Sequence, residues 1–135
     1  MNALIVCHAG AGLGLGHLTR SLVVARALHQ ELGAKVHLLI QGDPVQRTDL
    51  DEFEHHFLGV DENLLYAIWQ QVQHVDAQVV ILDFHPRLVP ADIGRLLQDL
   101  REGSCKVISI DGLVNHRSTL DLVFIPSFHF SPPEG

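Results

Sequence analysis

Short apolar runs alternate with helical patterns along this 135-residue chain, and that alternation limits its fold more than any other feature. "ALIVCH" (residues 3–8) is a continuous apolar run, as a strand buried on both faces requires. Across residues 17–32, Leu18, Leu22, Ala25, Leu28 and Leu32 recur at helical spacing, and Gly33 supplies a stop. "KVHLLI" (35–40) reads as a second strand. The acidic stretch after it reads as a loop or short helix, followed by a third strand near residues 56–60. "DENLLYAIWQQVQHV" predicts a helix with Asp61 as N-cap and Leu64, Leu65, Ile68, Trp69 and Val72 on one face. "QVVILD" (78–83) and "CKVISID" (105–111) are apolar strands ending on carboxylates. Between them Pro90 opens a helix over 90–102, with Gly103 past its end. "LDLVFI" (120–125) is a last strand.

Strands alternating with helices imply βαβ units, hence a parallel sheet with helices on both faces. Right-handed crossovers make a doubly wound, three-layer Rossmann-like sheet of order 3-2-1-4-5-6 the expected architecture. In such sheets ligands bind beyond the carboxyl ends of the strands, where the strand order reverses. That rule selects the loop over residues 10–17, Gly42-Asp43, Asp83-Phe84-His85 and Asp111-Gly112.

The first of these, "GAGLGLGH", places glycines at positions 10, 12, 14 and 16. The dinucleotide fingerprint G-x-G-x-x-G fails in every register, and a phosphate-binding P-loop needs a lysine that is absent. Glycines still let backbone approach a ligand closely, and the following helix aims free N–H groups and a partial positive charge at the crevice. A phosphate or diphosphate is the natural occupant. His17 stands at that helix start, where the dipole disfavours a charged imidazolium, so a neutral ring can accept a proton from water or a sugar hydroxyl. Arg20 follows one turn later on the same side, with a fork suited to a phosphate or a carboxylate.

At "GLGLGHLTRSLVVARAL" the sequence resembles the N-terminal half of GT-B-type nucleotide-sugar enzymes, specifically the pseudaminic-acid pathway UDP-sugar hydrolase and spore-coat polysaccharide glycosyltransferase-like proteins. Gly14, Gly16, His17 and Arg20 match their G-x-G-H-x-x-R pattern. "VVILDFHPR", "VISIDGLVNH" and "LDLVFIP" are similar to later strand ends of that family, in order along nearly the whole chain. The resemblance implies His17 as general base, and the Gly14–Gly16 backbone as facing a diphosphate or acceptor; Gly12 of the same glycine loop is a further candidate for that surface. Arg20, Asp83, His85 and Asp111 would line the same crevice, although Asp83 and Asp111 also fit a strand-end capping role. Gly112 stands where the family often has a second Asp.

The resemblance further implies a nucleoside diphosphate sugar and a sugar acceptor as ligands. It also implies a C-terminal GT-B domain, in cis or trans, that carries most nucleotide contacts. Residues 1–128 are then the acceptor-side domain, and the proline-containing stretch 129–135 begins an interdomain linker or tail. The alternative is a non-catalytic Rossmann-like binding or interaction domain lacking its catalytic partner half. A nicotinamide-dependent enzyme is disfavoured by the broken fingerprint.

A net charge of −7 with histidine neutral argues against a nucleic-acid face. Ten histidines make that charge sensitive to pH below neutrality. No cofactor is implied. Cys7 and Cys105 lie in apolar runs without CxxC spacing, so they read as buried thiols. A metal held by His17, Asp83 and His85 is conceivable, but no spacing fixes its geometry. Without a signal-peptide pattern or a membrane-length apolar stretch, the chain reads as soluble and cytoplasmic.

Overall fold

The computed structural model describes residues 1–10, 16–84, 88–110, 113 and 120–124. Its elements run in the order β1 (Asn2–Ala9), α1 (Gly16–Leu32), β2 (Lys35–Gly42), a 3-10 helix (Thr48–Glu52), β3 (Glu54–Leu58), α2 (Leu64–Val75), β4 (Val79–Asp83), α3 (Ile93–Glu102), β5 (Lys106–Ile110) and β6 (Leu122–Phe124). The six strands form one sheet in the order β3-β2-β1-β4-β5-β6. Every adjacent pair is parallel, as the alternating pattern requires. The fold is a Rossmann-like α/β sandwich, in the expected order.

Alternate residues of the central strands serve opposite faces, which produces two separate cores. On one face Ile5, Cys7 and Ala9 of β1 and Val36, Leu38 and Ile40 of β2 pack under Leu18, Leu22 and Ala25 of α1. On the other, Leu4, Val6, Leu39, Val80 and Leu82 pack under Leu64, Ile68 and Val72 of α2 and Ile93, Leu96, Leu97 and Leu100 of α3. Cys7 and Cys105 are both buried free thiols.

Local chemistry explains where the elements stop, and corrects several expected boundaries. Gly33 takes φ +64 after α1, a left-handed turn that suits glycine. The N-cap of α2 is Asn63, not Asp61: its side chain accepts from the Tyr66 N–H at 3.0 Å. Pro90 opens a turn rather than the helix, since its carbonyl accepts from Ile93 N–H and α3 begins at Ile93. The third strand starts two residues earlier than expected, at Glu54, because it is an edge strand whose Glu54, His55 and His56 face solvent and show no apolar signal. Leu32 and Trp69 are exposed, so the buried stripes of α1 and α2 are narrower than their apolar spacing suggests. Among the described residues, no helix is long and apolar enough to cross a membrane.

Candidate functional site

The strand order reverses between β1 and β4, which lie side by side with Cys7 opposite Asp83. The carboxyl end of β1 is fixed by close backbone approach. Gly42 takes φ +142, and a Cβ there would lie 1.6 Å from the Ala9 carbonyl oxygen. Gly10 takes φ +125 with the Asp43 backbone against it. Neither position tolerates a side chain, so the end of β1 is packed against the end of β2 at a set point. A Cβ on Gly16 would meet no described atom within 4 Å.

The first turns of α1 then aim three side chains at the end of β4. His17, Arg20 and Ser21 share one helix face by their i, i+3, i+4 spacing. All three converge on Asp83, whose side chain is fully buried. His17 Nδ1 lies 2.7 Å from Asp83 Oδ1. Arg20 donates from Nε to Oδ2 at 3.0 Å and from its terminal Nη2 to Oδ1. Ser21 Oγ donates to Oδ2 at 3.2 Å. A carboxylate has about four lone-pair sites, and this set fills them.

Asp83 titrates below the ordinary carboxylate value. Its burial pushes the other way, but hydrogen bonds from His17 and Arg20, and the charge of Arg20, outweigh that. An ionised carboxylate only accepts, so we assign the Nδ1 proton to His17 as donor. Arg20 Nη2 also lies 3.2 Å from Nδ1, and with that proton in place the approach is a contact rather than a hydrogen bond. In the neutral ring Nε2 then carries the lone pair. His17 keeps 15% side-chain exposure and Arg20 23%. Beside them the Cys7 thiol, opposite Asp83 in the sheet, is pushed up to about 12 by burial.

Of the residues singled out by sequence, the structure brings His17, Arg20 and Asp83 together, with Gly16 at the helix start. Gly12, Gly14, His85 and Asp111 lie outside the described residues. Arg20's fork holds a carboxylate, and that carboxylate is the chain's own Asp83. Among the described residues no group of three or more His, Cys, Asp or Glu could hold a metal ion. Ser21 was not foreseen. Its signal is a small polar residue between Leu18 and Leu22 on the buried stripe, four residues after His17.

No protein-family model matches the sequence, and no curated protein matches it. Solved structures do match in fold. The chain is similar to an alpha-glucosyltransferase solved with UDP and a 13-mer DNA containing a central A:G mismatch: TM-score 0.57, 19% identity, over 93% of this chain and 37% of that one. It is similar to the apo form of the lipopolysaccharide outer core galactosyltransferase WaaB, with TM-score 0.51 and 15% identity over 81% of this chain and 32% of that one. It is also similar to S. aureus homoserine dehydrogenase at pH 6.0, with TM-score 0.52 and 10% identity over 94% of this chain and 33% of that one. The chain thus spans about a third of the length of each. At such identities the likeness establishes a Rossmann-like fold, of the kind that glycosyltransferases share with a dehydrogenase.

Proposed function

We propose that this chain is the acceptor-side half of a GT-B-type enzyme that transfers or hydrolyses the sugar of a nucleoside diphosphate sugar, with His17 as general base. The observation that carries the proposal is the His17–Asp83 pair at the switch point of the sheet. A histidine whose Nδ1–H is held by a buried carboxylate presents Nε2 as a base of fixed orientation.

In the proposed reaction the oxygen of water or of an acceptor hydroxyl attacks the anomeric carbon. The nucleoside diphosphate leaves with the electrons of the broken carbon–oxygen bond, and Nε2 takes the attacking group's proton. Asp83 steadies the imidazolium so formed. Because Asp83 is held well ionised, the proton stays on the ring. Asp83, Arg20 and Ser21 act through His17 as positioning residues. The N-terminus of α1 suits a diphosphate, and the resemblance assigns the backbone of Gly12, Gly14 and Gly16 to diphosphate or acceptor binding and His85 and Asp111 to substrate binding.

On this reading residues 1–128 are the acceptor-side domain and residues 129–135 the start of a linker or tail, with the nucleotide held mainly by a C-terminal GT-B domain in cis or trans. The pseudaminic-acid pathway hydrolase and spore-coat polysaccharide proteins remain the family we infer from the glycine–histidine–arginine pattern. We place the enzyme in the cytoplasm, and its net charge of −7 supports a ligand other than nucleic acid.

One observation favours a second reading. Arg20 and Asp83 satisfy each other so fully that the cluster would also serve as a staple between α1 and β4 in a non-catalytic binding domain. Turnover of UDP-, GDP- and dTDP-sugars by the full-length protein separates the two. His17→Gln is expected to lower kcat by roughly 10²–10⁴ with its melting temperature kept. Full turnover in that variant removes His17 as the base. Absence of wild-type turnover, together with no nucleotide-sugar binding in ligand-observed NMR, establishes the binding-domain reading instead.

A further inference from the structure

Four of the histidines outside the candidate site, His37, His55, His56 and His74, line one cavity. At the opposite, amino-terminal end of the strands, this cavity of about 470 Å³ lies between the sheet edge and α2. Its walls include Asn2 of β1, Lys35 and His37 of β2, Glu54 and His56 of β3, and His74 of α2. Strand alternation explains the gathering. Leu39 of β2 and Leu4 of β1 pack on the α2 face, so Lys35, His37 and Asn2 share it. Glu54 and His56 pair with His37 and Leu39 across β2–β3.

The last turn of α2 borders this cluster, whose Lys35, Glu54, His56 and His74 are exposed while His37 is half-buried. That turn is tied to the sheet by Asn2 Nδ2, which donates to the Val75 carbonyl at 2.8 Å, and by the buried Val72. The groups facing half-buried His37 are mostly cationic or able to become so. They are Lys35 on its own strand and His74 on the helix, with His56 further along β3 and Glu54 as the one acidic wall; His55 borders the cavity from the other face of the strand. Burial, and then the positive charge of Lys35, push His37 below its ordinary value, with His74 adding to that and Glu54 opposing it.

We propose that this cavity is a proton-sensitive latch, closed while its imidazoles are neutral and opened on acidification, when charge on His37 and His74 beside Lys35 lifts the last turn of α2 from the sheet. The sign follows from linkage. A histidine whose folded value lies below its unfolded one stabilises the closed form fully above the unfolded value near 6.5. That stabilisation is lost as pH falls from there through the folded value. The candidate site at the other end of the strands plays no part, so the latch stands or falls independently of the proposed activity.

Amide hydrogen exchange read by mass spectrometry on the whole protein tests this. Between pH 7.5 and 5.5, after correction for intrinsic exchange rates, protection of the peptide ending α2 (through Val75) is expected to fall roughly tenfold. The α3 peptide (Ile93–Glu102) is expected to keep its protection. His37→Gln should hold the α2 peptide closed at both pH values. If that variant misfolds, Lys35→Gln serves in its place, since it removes an exposed fixed cation and should shrink the pH effect several-fold. Unchanged protection of the wild-type α2 peptide at pH 5.5, or an undiminished loss in both variants, overturns the latch.

Discussion

Asp83→Asn is the substitution that most directly tests how the candidate site is held together. The carboxylate is fully buried and accepts from His17, Arg20 and Ser21. An amide of the same shape loses the negative charge and turns one acceptor into a donor aimed at other donors. Removing one partner of a buried ion pair costs about 3–5 kcal/mol. Arg20 keeps 23% exposure and can be partly rehydrated, so the lower end, about 3 kcal/mol, is the expected loss. For a domain of this size that is a fall of about 10 °C in melting temperature. Arg20→Met in the same background removes the stranded cation, and the double variant should be more stable than the sum of the singles by about 2 kcal/mol.

Acid titration adds an independent check. Asp83's folded value lies below its unfolded value near 3.8, so its stabilisation is fully present above that unfolded value and lost as pH falls through the folded one. The wild type should therefore lose more stability between pH 5 and 3 than Asp83→Asn does. Urea melts of the four proteins across that range measure all these quantities. A single-variant loss under about 1 kcal/mol, or additive singles, would refute the account of Asp83 as the saturated centre of the cluster.

Two further outcomes follow from the fold. Gly42→Ala should cost about 3 kcal/mol or more in denaturant melts, because its Cβ would fall 1.6 Å from the Ala9 carbonyl oxygen at φ +142. A thiol-reactive dye at pH 8 should label neither cysteine until denaturant is added and both thereafter, since burial pushes Cys7 up to about 12 and Cys105 up to about 11.

Which features could be foreseen depended on where each signal resides. Central strands such as β1 and β4 are apolar on both faces, so their order and number could be read directly, and with them the position of the switch point. Edge strand β3 carries Glu54, His55 and His56 toward solvent, and its position is fixed by pairing with β2 rather than by its own pattern. Asn63 displaced Asp61 as N-cap because the choice rests on a single hydrogen bond to Tyr66 N–H, which composition does not encode. The convergence of His17 and Arg20 followed from helical spacing. Their closure on Asp83 is a contact across 66 residues of sequence, and only the sheet order creates it. Ser21 escaped notice because a buried serine in an apolar stripe looks like a packing residue until its acceptor is known.

The placement of β1 between β2 and β4 has a consequence for how the molecule comes into being. One edge of β1 is covered by β2, a neighbour 26 residues after Ala9 at its first residue, whereas the other waits for β4 from Val79 onward. During synthesis at about 5–20 residues per second, the early half-sheet of β3, β2 and β1 carries one open inner edge for several seconds. That edge is an aggregation hazard, and it lies beside the strand from which His17 is hung. The arrival of β4 closes the edge and delivers Asp83 in the same event. The His17–Asp83 contact and protection from misassembly are thus acquired together, late, by one strand.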